Sequence, residues 1–441
     1  MFRLSPDTLT AMTSQLISRL DGVVRIEVRT PEGGAVGDPR ELAAALTSKL
    51  RGEGFCPGET VAVALPNGPA FAAAFIACAR EGLTFLPLPP GLATAELEDR
   101  LRLANVAGVL TDDGKVVRRR FHPKPSASVF PAVILFTSGT GGGARAIALG
   151  EAGLLSVVDS HHAALGYPPG ARVTGCLPWT HAFGFTLEFL MALLKGGELR
   201  SVLPASLGDV TTEHPPDVLF GVPRTIAALP DATLRSVAMG IVGGAPIRGA
   251  LRARLERTQL RVGYGQTECS PGVALGRPGE WDRDDFLGRP LGCEVALGSP
   301  DSEGARELHV RGSNTALAAI EGDGSVRLVG ADGWLATGDL ALGTADGGFI
   351  YQGRCDERFK LSNGRMVNPV PLELPYGDQV LLIGAGQAMV QPLVRGEPPP
   401  DFRLPVPHLA PRRMPEPFWA ACTTPTGKLS RRRAEQLFAS S

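Results

Sequence analysis

The stretch TVAVALPNGPAFAAAFIACAREGLTFLPL (Thr60–Leu88) reads as strand, helix, strand. TVAVAL is a short apolar run, PNGP breaks it, PAFAAAFIACARE opens on a proline suited to the first helical turn, and TFLPL resumes the extended pattern after Gly82. A strand returned to its own sheet through a crossover helix is the unit of a parallel sheet. The alternation continues outward through TAELEDRLRLA, VAGVL, AVILFT and EAGLLSVVDSHHAAL, and then through RVTGCLP, GFTLEFLMALLK, GELRSVL, DVLFGV, SVAMGIVGG and a helix near Ala250–Thr258. After Gly288 the runs shorten to CEVALG, RELHVRG, SVRLV and FIYQGR between Gly- and Asp-rich turns, which predicts a β-rich subdomain. The expected fold is α/β: a large N-terminal domain over residues 1–353, with two βα subdomains of parallel-rich sheets plus the β-rich part. A small α+β C-terminal lid follows over residues 354–441, with a Pro-rich stretch at Gly396–Pro417 and a basic terminal helix after Gly427.

Composition narrows the class. The 441 residues suffice for roughly three cores at about 150 residues per domain. Glycine and proline (55 and 38 residues) fall short of the ~25–30% that marks low-complexity disorder. With 44 basic and 45 acidic side chains, no global field draws the chain to nucleic acid or an anionic membrane, so any anion must be met locally. The basic run KVVRRRFHPKP (Lys115–Pro125) reads as a solvated connector. Seven cysteines without a Cys-x-x-Cys pair signal neither a zinc knuckle nor a disulfide framework, and imply a reducing compartment. The N-terminus, with Ser5 as helix cap and Pro6 in the first turn, reads as a folded helix rather than a signal peptide, and the apolar runs are far below the ~18 residues of a membrane span. A cytoplasmic location is the expectation. The oligomeric state is not legible.

The sharpest local feature is FTSGTGGGARA (Phe136–Ala146), set directly after the apolar run AVIL. Glycines bare the backbone N–H groups, and Thr137, Ser138 and Thr140 add hydroxyl donors, which is what a polyphosphate needs. It lacks the closing lysine of a P-loop, and alone it also fits a Gly-rich hairpin. Four further motifs follow in order: GYGQTE (Gly263–Glu268), TGDL (Thr337–Leu340), GRCDERFK (Gly353–Lys360) and TPTGKLSRR (Thr424–Arg432).

With these five motifs the chain resembles the adenylate-forming superfamily of acyl-CoA synthetases, nonribosomal adenylation domains and luciferases over nearly its whole length. PWTHAFG (Pro178–Gly184), GVPR (Gly221–Arg224) and GGAP (Gly243–Pro246) are similar to further landmarks of that family. The resemblance implies ATP and Mg2+ as cofactors and a carboxylic acid (acyl or aryl) as substrate. It implies activation of the acid as acyl-AMP with release of pyrophosphate, and then transfer to a thiol of coenzyme A or of a pantetheinyl carrier protein, a possible partner.

The resemblance also implies roles for residues. Thr137, Ser138, Gly139 and Thr140 would hold the β- and γ-phosphates, with Arg145 as a cation at the loop's end. Gly244, Ala245, Tyr264 and Gly265 would border the nucleotide, Tyr264 lying against adenine. Thr267 would bond the α-phosphate, Glu268 would be the magnesium ligand, and Asp339 would accept the ribose hydroxyls with Arg354 close by. His181, Phe183, Gly243 and Cys269 would line the acyl pocket. Lys428 would bridge the carboxylate and the α-phosphate, and the lid would turn about Asp356.

The chain also departs from the family pattern. Arg145 stands where most relatives have lysine, Gly141, Gly143 and Ala144 replace a threonine and a lysine–proline pair, and the lid is short and Pro-rich. Release of a free adenylate, adenylation of an unusual acid, and a degenerate ligase serving as a binding or scaffold module are the alternatives. Thr267, Glu268, Asp339 and Lys428 speak against the last. The spacing KLSNGRMVNPVPLE (Lys360–Glu373) leans toward long-chain acyl-CoA synthetases and carboxylic acid reductases, and the absence of an aspartate after PWTHAFGF argues against an α-amino acid.

Overall fold

The structure is a computed structural model. It describes residues 14–21, 26–29, 38–111, 114–119, 131–138, 144–301, 304–320, 326–328, 332–398, 400, 402–423 and 429–440. Of the expected N-terminal helix, Gln15–Asp21 is described, while Ser5 and Pro6 lie outside the described residues.

In chain order the strands of the first part are β1 (Ile26–Arg29), β2 (Thr60–Val63), β3 (Thr84–Pro87), β4 (Val106–Leu110), β5 (Val116–Arg118), β6 (Val133–Ser138) and β7 (Ala144–Leu149). There follow β8 (Arg172–Gly175), β9 (Gly197–Ser201), β10 (Val218–Gly221), β11 (Met239–Gly243), β12 (Leu260–Tyr264), β13 (Ala274–Leu275) and β14 (Phe286–Pro290). The β-rich part supplies β15 (Glu294–Pro300), β16 (Arg306–Arg311), β17 (Ala318–Ile320), β18 (Val326–Leu328), β19 (Leu335–Gly343) and β20 (Phe349–Arg354).

Two large sheets result. One runs β18-β17-β7-β6-β3-β2-β4-β5, with β6, β3, β2 and β4 parallel. The other runs β1-β9-β8-β10-β11-β12 in parallel and then turns antiparallel through β13-β14-β20-β19-β16-β15. The α/β expectation therefore holds, and the strands after Gly288 form the β-rich part, with antiparallel pairing in this sheet beginning already at β13.

The helix Pro69–Arg80 shows why the sheets lie against one another. It opens on Pro69 and is apolar on nearly all sides, with Phe71 through Cys78 buried, so it must be covered twice. Phe71 and Phe75 meet Phe85 of β3 on one side, and Trp179, Phe185 and Phe189 on the other, at ring-centroid distances of 5.3–5.5 Å and mostly edge to face. Edge-to-face pairs add ~0.5–1.5 kcal/mol each beyond the area they bury, which fixes the sheet-to-sheet spacing.

Within this apolar layer the segment Gly184–Leu190 is a π-helical turn that carries one carboxyl group inward. Glu188 is fully buried, and its carboxyl accepts from Trp179 Nε1 at 2.9 Å and from the Leu177 amide at 3.2 Å. Burial pushes its pKa up to about 8, against the opposing pull of those two donors.

The basic run after Lys115 is structural where it is described. Arg118 lies over the Phe55 ring at 4.3 Å and pairs with Glu59, while Arg119 pairs with Glu98. No helix among the described residues is long and apolar enough to cross a membrane.

From Phe359 onward the chain builds its own small cores around a three-stranded sheet of Val380–Ile383, Gln391–Arg395 and Arg412–Met414, with Trp419 fully buried. The terminal helix Arg431–Ala439 is clamped to it. Arg431 reaches both carboxylate oxygens of Glu373, at 2.6 and 3.0 Å, and also bonds the Leu382 carbonyl. Ser430 caps that helix by accepting from the Arg433 amide.

Glu188 generates a prediction about pH. Its folded pKa of about 8 lies above the ordinary 4.5, so the folded state keeps a proton that the unfolded state has shed. Its contribution to stability is therefore complete below about pH 4.5, declines as pH climbs, and is lost once pH passes about 8. Urea unfolding of wild type and Glu188→Gln at pH 5 and pH 8 checks this: the wild type should lose more stability between the two pH values than the variant. Equal losses would show that Glu188 is ionised across the range.

Candidate active site

In parallel sheets ligands bind at the carboxyl ends of the strands. Here β11 and β12 run side by side in register, Gly243 opposite Gly263, and both end in glycine-rich turns. A small cleft, partly open to solvent, lies at those ends, lined by His161, Phe183, Leu187, Ile241, Gly243, Gly244, Gly263, Tyr264, Gly265 and Pro271. The backbone is pressed so closely that a Cβ on Gly265 would stand 1.2 Å from the Pro271 carbonyl oxygen. Only glycine fits there, which explains its place beside the tyrosine.

One wall is fixed by a carboxylate. Asp339 on β19, 6% exposed, accepts from the Tyr264 hydroxyl at 2.5 Å through Oδ2 and from Arg354 at 2.9 Å through Oδ1. Arg354 is the register partner of Asp339 across β19 and β20, and its Nε donates to Asp356 at 2.8 Å. Burial alone lowers the Arg354 pKa, but the carboxylates of Asp339 and Asp356 reverse that and raise it, so the guanidinium stays charged. Burial and the neighbouring Asp339 charge push the Tyr264 phenol well up, which keeps it a donor. The Asp339 backbone is held as well, its amide donating to Thr337 Oγ1 while that hydroxyl donates to the Leu308 carbonyl. An ionised carboxylate offers about four lone-pair sites, so Asp339 retains acceptor capacity on both oxygens.

A second charged pair involves the turn just after β12. Arg145 on β7 donates to Glu268 Oε1 at 3.1 Å, joining residues far apart in sequence. Glu268 sits in the tight turn Thr267–Cys269 after β12, and its carbonyl accepts from the Ala316 amide at 2.8 Å. Leu317, one residue on, donates to Ala148 of β7, so a single strap ties the Glu268 turn to the strand that carries Arg145. Thr137 on β6 is the register partner of Arg145, and β6 and β7 form an antiparallel hairpin. The next described element after Ser138 is the strand β7. Gly139 and Thr140 lie outside the described residues, as does the Ser138 side chain.

Tyr264, Gly265, Gly243, Gly244 and Phe183 thus border one cleft, and Asp339 and Arg354 join it through Tyr264. Ala245 is half-buried in the turn after β11, and Thr267 is half-buried beside Glu268. Two expected pocket residues are placed elsewhere. His181 does not border the cleft; burial, and after it the neighbouring Arg100, lower its pKa. Cys269 is fully buried in a core cluster with Val273, Ala274 and Val310, where burial pushes its thiol well up, so it packs rather than lines. Asp356 is exposed and holds Arg354, and Lys428 lies outside the described residues.

Sequence reading missed His161 on the helix Glu151–Leu165, together with Leu187, Ile241 and Pro271. Nothing local marks the three apolar residues; the doubled histidine in SHHAAL was a signal, but only folding reveals which of the two faces the cleft.

Among the described residues no three His, Cys, Asp or Glu side chains gather to cage a metal. Glu268 offers a single carboxylate, the donor set that a magnesium ion accepts when substrate oxygens and water complete its octahedron. The residues present therefore fit a metal shared with a polyphosphate and do not fit a metal held by protein alone.

The profile of the family described as AMP-binding enzyme matches residues 37–130 and 122–318, well over half of the chain. Feruloyl-CoA synthase of an Amycolatopsis species is 28% identical over 369 residues, covering 75% of this chain and 75% of that protein. Human long-chain-fatty-acid–CoA ligase 1 is 25% identical over 331 residues, covering 60% of this chain and 47% of that protein. Among solved structures, ATP-bound MatB from Rhodopseudomonas palustris superposes with a TM-score of 0.78 at 17% identity over 97% of this chain and 99% of that one, a likeness of fold. With that profile matched over well over half of its length, the chain belongs to the AMP-binding enzyme family of the adenylate-forming superfamily.

Proposed function

We propose that this chain activates a carboxylic acid with ATP and magnesium, forming an acyl adenylate and pyrophosphate, and then passes the acyl group to a thiol of coenzyme A or of a carrier protein. The observation that carries the reading is the Tyr264–Asp339–Arg354 network at the end of β12, with Glu268, paired to Arg145, in the turn that follows in the same GYGQTE segment. It supplies a carboxylate acceptor and an aromatic face, and a cation with a carboxylate, the chemistry that a nucleoside polyphosphate needs. Relatives named for joining aryl and fatty acids to coenzyme A support the same reading.

In the first half-reaction an oxygen of the acid's carboxylate bonds to the α-phosphorus as the bond to the β-phosphate oxygen breaks, and pyrophosphate departs. Two anions have to approach, so positioning and cationic stabilisation are the catalytic need. Asp339 accepts the ribose hydroxyls on its spare lone pairs, and the Tyr264 ring, pinned by its own hydroxyl, offers a flat face to the base. The Arg145 guanidinium, paired here with Glu268, would turn from it to the phosphates. Glu268 would hold the magnesium ion, which supplies neutralisation of phosphate charge when bound. Thr137, Ser138, Gly139 and Thr140 cradle the outer phosphates, Thr267 bonds the α-phosphate, and Lys428 bridges it to the carboxylate.

In the second half-reaction the thiol sulfur bonds to the acyl carbon, the acyl–phosphate oxygen bond breaks, AMP leaves, and the thiol proton passes to solvent. The residues after Arg354 act as a lid that turns about Asp356, carrying Lys428 away between the halves.

Exchange of labelled pyrophosphate into ATP, run over fatty, aryl and amino acids, tests the reading. One class of non-amino acid should support exchange, and silence across the panel would overturn it. Lys428→Ala should lower exchange by about 100-fold or more while a supplied acyl adenylate is still transferred to thiol, the size expected for a charge acting on the transition state; equal loss of both steps would remove the role given to Lys428. Asp339→Asn should weaken ATP binding by about tenfold or more in calorimetry, the value of a hydrogen bond to a charged acceptor. An unchanged affinity would show that the ribose does not reach this carboxylate.

A further inference from the structure

The cleft at the ends of β11 and β12 is apolar on all sides but one. Phe183, Leu187, Ile241 and Pro271 supply carbon surface, glycine backbone completes the wall, and the Tyr264 hydroxyl is committed to Asp339. His161 remains. It is 1% exposed, lies on the long helix Glu151–Leu165, and borders the cleft. Its Nδ1 stands 2.9 Å from the Val157 carbonyl oxygen one turn back, and a carbonyl only accepts, so Nδ1 carries the proton. The Ser160 hydroxyl, 3.3 Å from Nδ1, donates to the same carbonyl at 3.1 Å. Burial pushes the ring's pKa down to about 4 against the Val157 contact, so the imidazole is neutral near pH 7. The ring is also wedged: a Cβ on Gly272 would lie 2.4 Å from its Cε1, so the Gly272 backbone holds this edge in place. Nε2 is then a lone pair with no hydrogen-bond donor among the described residues.

Once a bound group fills the cleft and excludes water, an acceptor left without a donor costs ~1–3 kcal/mol. A carboxylate cannot supply one, because it has no hydrogen to give, and neither can a plain hydrocarbon tail.

We propose that His161 sets the specificity of this site, and that the acid it takes has an apolar body whose tail carries a hydrogen-bond donor, a hydroxyl or an amino N–H, received by Nε2. The inference rests on the cleft being the acid's pocket, as the proposed function has it. A site built to receive a substrate's O–H discriminates against the analogue lacking it, because the site's own polar atom is then left unpaired.

The test is pyrophosphate–ATP exchange with matched acids: benzoate against its ring-hydroxylated and ring-amino derivatives, cinnamate against hydroxycinnamates, and a medium-chain fatty acid against its hydroxylated counterparts. In one of these series wild type should favour the donor-bearing acid by about tenfold or more in kcat/KM. His161→Leu should bring that ratio to about one or below while the parent acid is still activated, and His161→Gln, which restores an acceptor oxygen, should recover part of the preference. Wild-type data alone decide the first point, so a variant that fails to fold does not rescue the idea. Exchange without any donor preference, or a preference untouched by His161→Leu, overturns the inference and leaves acid activation standing. Absence of exchange with every acid overturns the proposed function and the inference together.

Discussion

Everything in the site is referred to one buried carboxylate. Asp339 receives a phenol from β12 and a guanidinium from β20, and so links the last strand of the parallel sheet to the antiparallel β-rich part. Ordering two side chains around one acceptor is costly in conformational entropy, and a charged hydrogen bond of ~1.5–3 kcal/mol is the scale of interaction that can repay it. The result is a tyrosine ring that cannot swing away from the cleft and an arginine that stays protonated inside the protein. Arg354 also bonds Asp356, the first acidic residue after β20, so the same network reaches the start of the C-terminal region.

The apolar framework makes that arrangement possible. The helix Pro69–Arg80 and the π-helical turn Gly184–Leu190 fill the space between the sheets with aromatic rings, and the stacked pair Trp179 and Phe189, 4.7 Å apart, closes the layer. Phe183 and Leu187 project from the same segment into the cleft, so one stretch of sequence builds both core and pocket wall. Glu188 interrupts that layer with a carboxyl group that burial keeps protonated, and two N–H donors hold it.

Much of this was legible in the sequence. Thr60–Leu88 dictates strand–helix–strand because period, proline placement and turn residues agree, and the structure follows it closely. Tyr264 was readable because a ring set between glycines has nothing local to pack on. His181 and Cys269 were not, for a physical reason: neighbours in sequence suggested a pocket position, but side-chain direction is set by the turn each residue occupies. Cys269 closes a tight turn and faces the core, while Glu268 beside it faces Arg145. His161 escaped notice because its surroundings come from the Pro271–Gly272 loop, more than a hundred residues away in sequence, and no local pattern announces such a meeting.

The account turns on the claim that this cleft grips a magnesium nucleotide with Asp339 at the ribose and the Arg145–Glu268 pair at the phosphates. A crystal structure with magnesium and a non-hydrolysable ATP analogue tests it most directly. The account predicts ribose hydroxyls on Asp339, the base along the Tyr264 ring, a metal on Glu268, and Arg145 turned from Glu268 toward phosphate oxygen. A nucleotide bound elsewhere, with Asp339 touching only Tyr264 and Arg354 and with Arg145 still on Glu268, would contradict it.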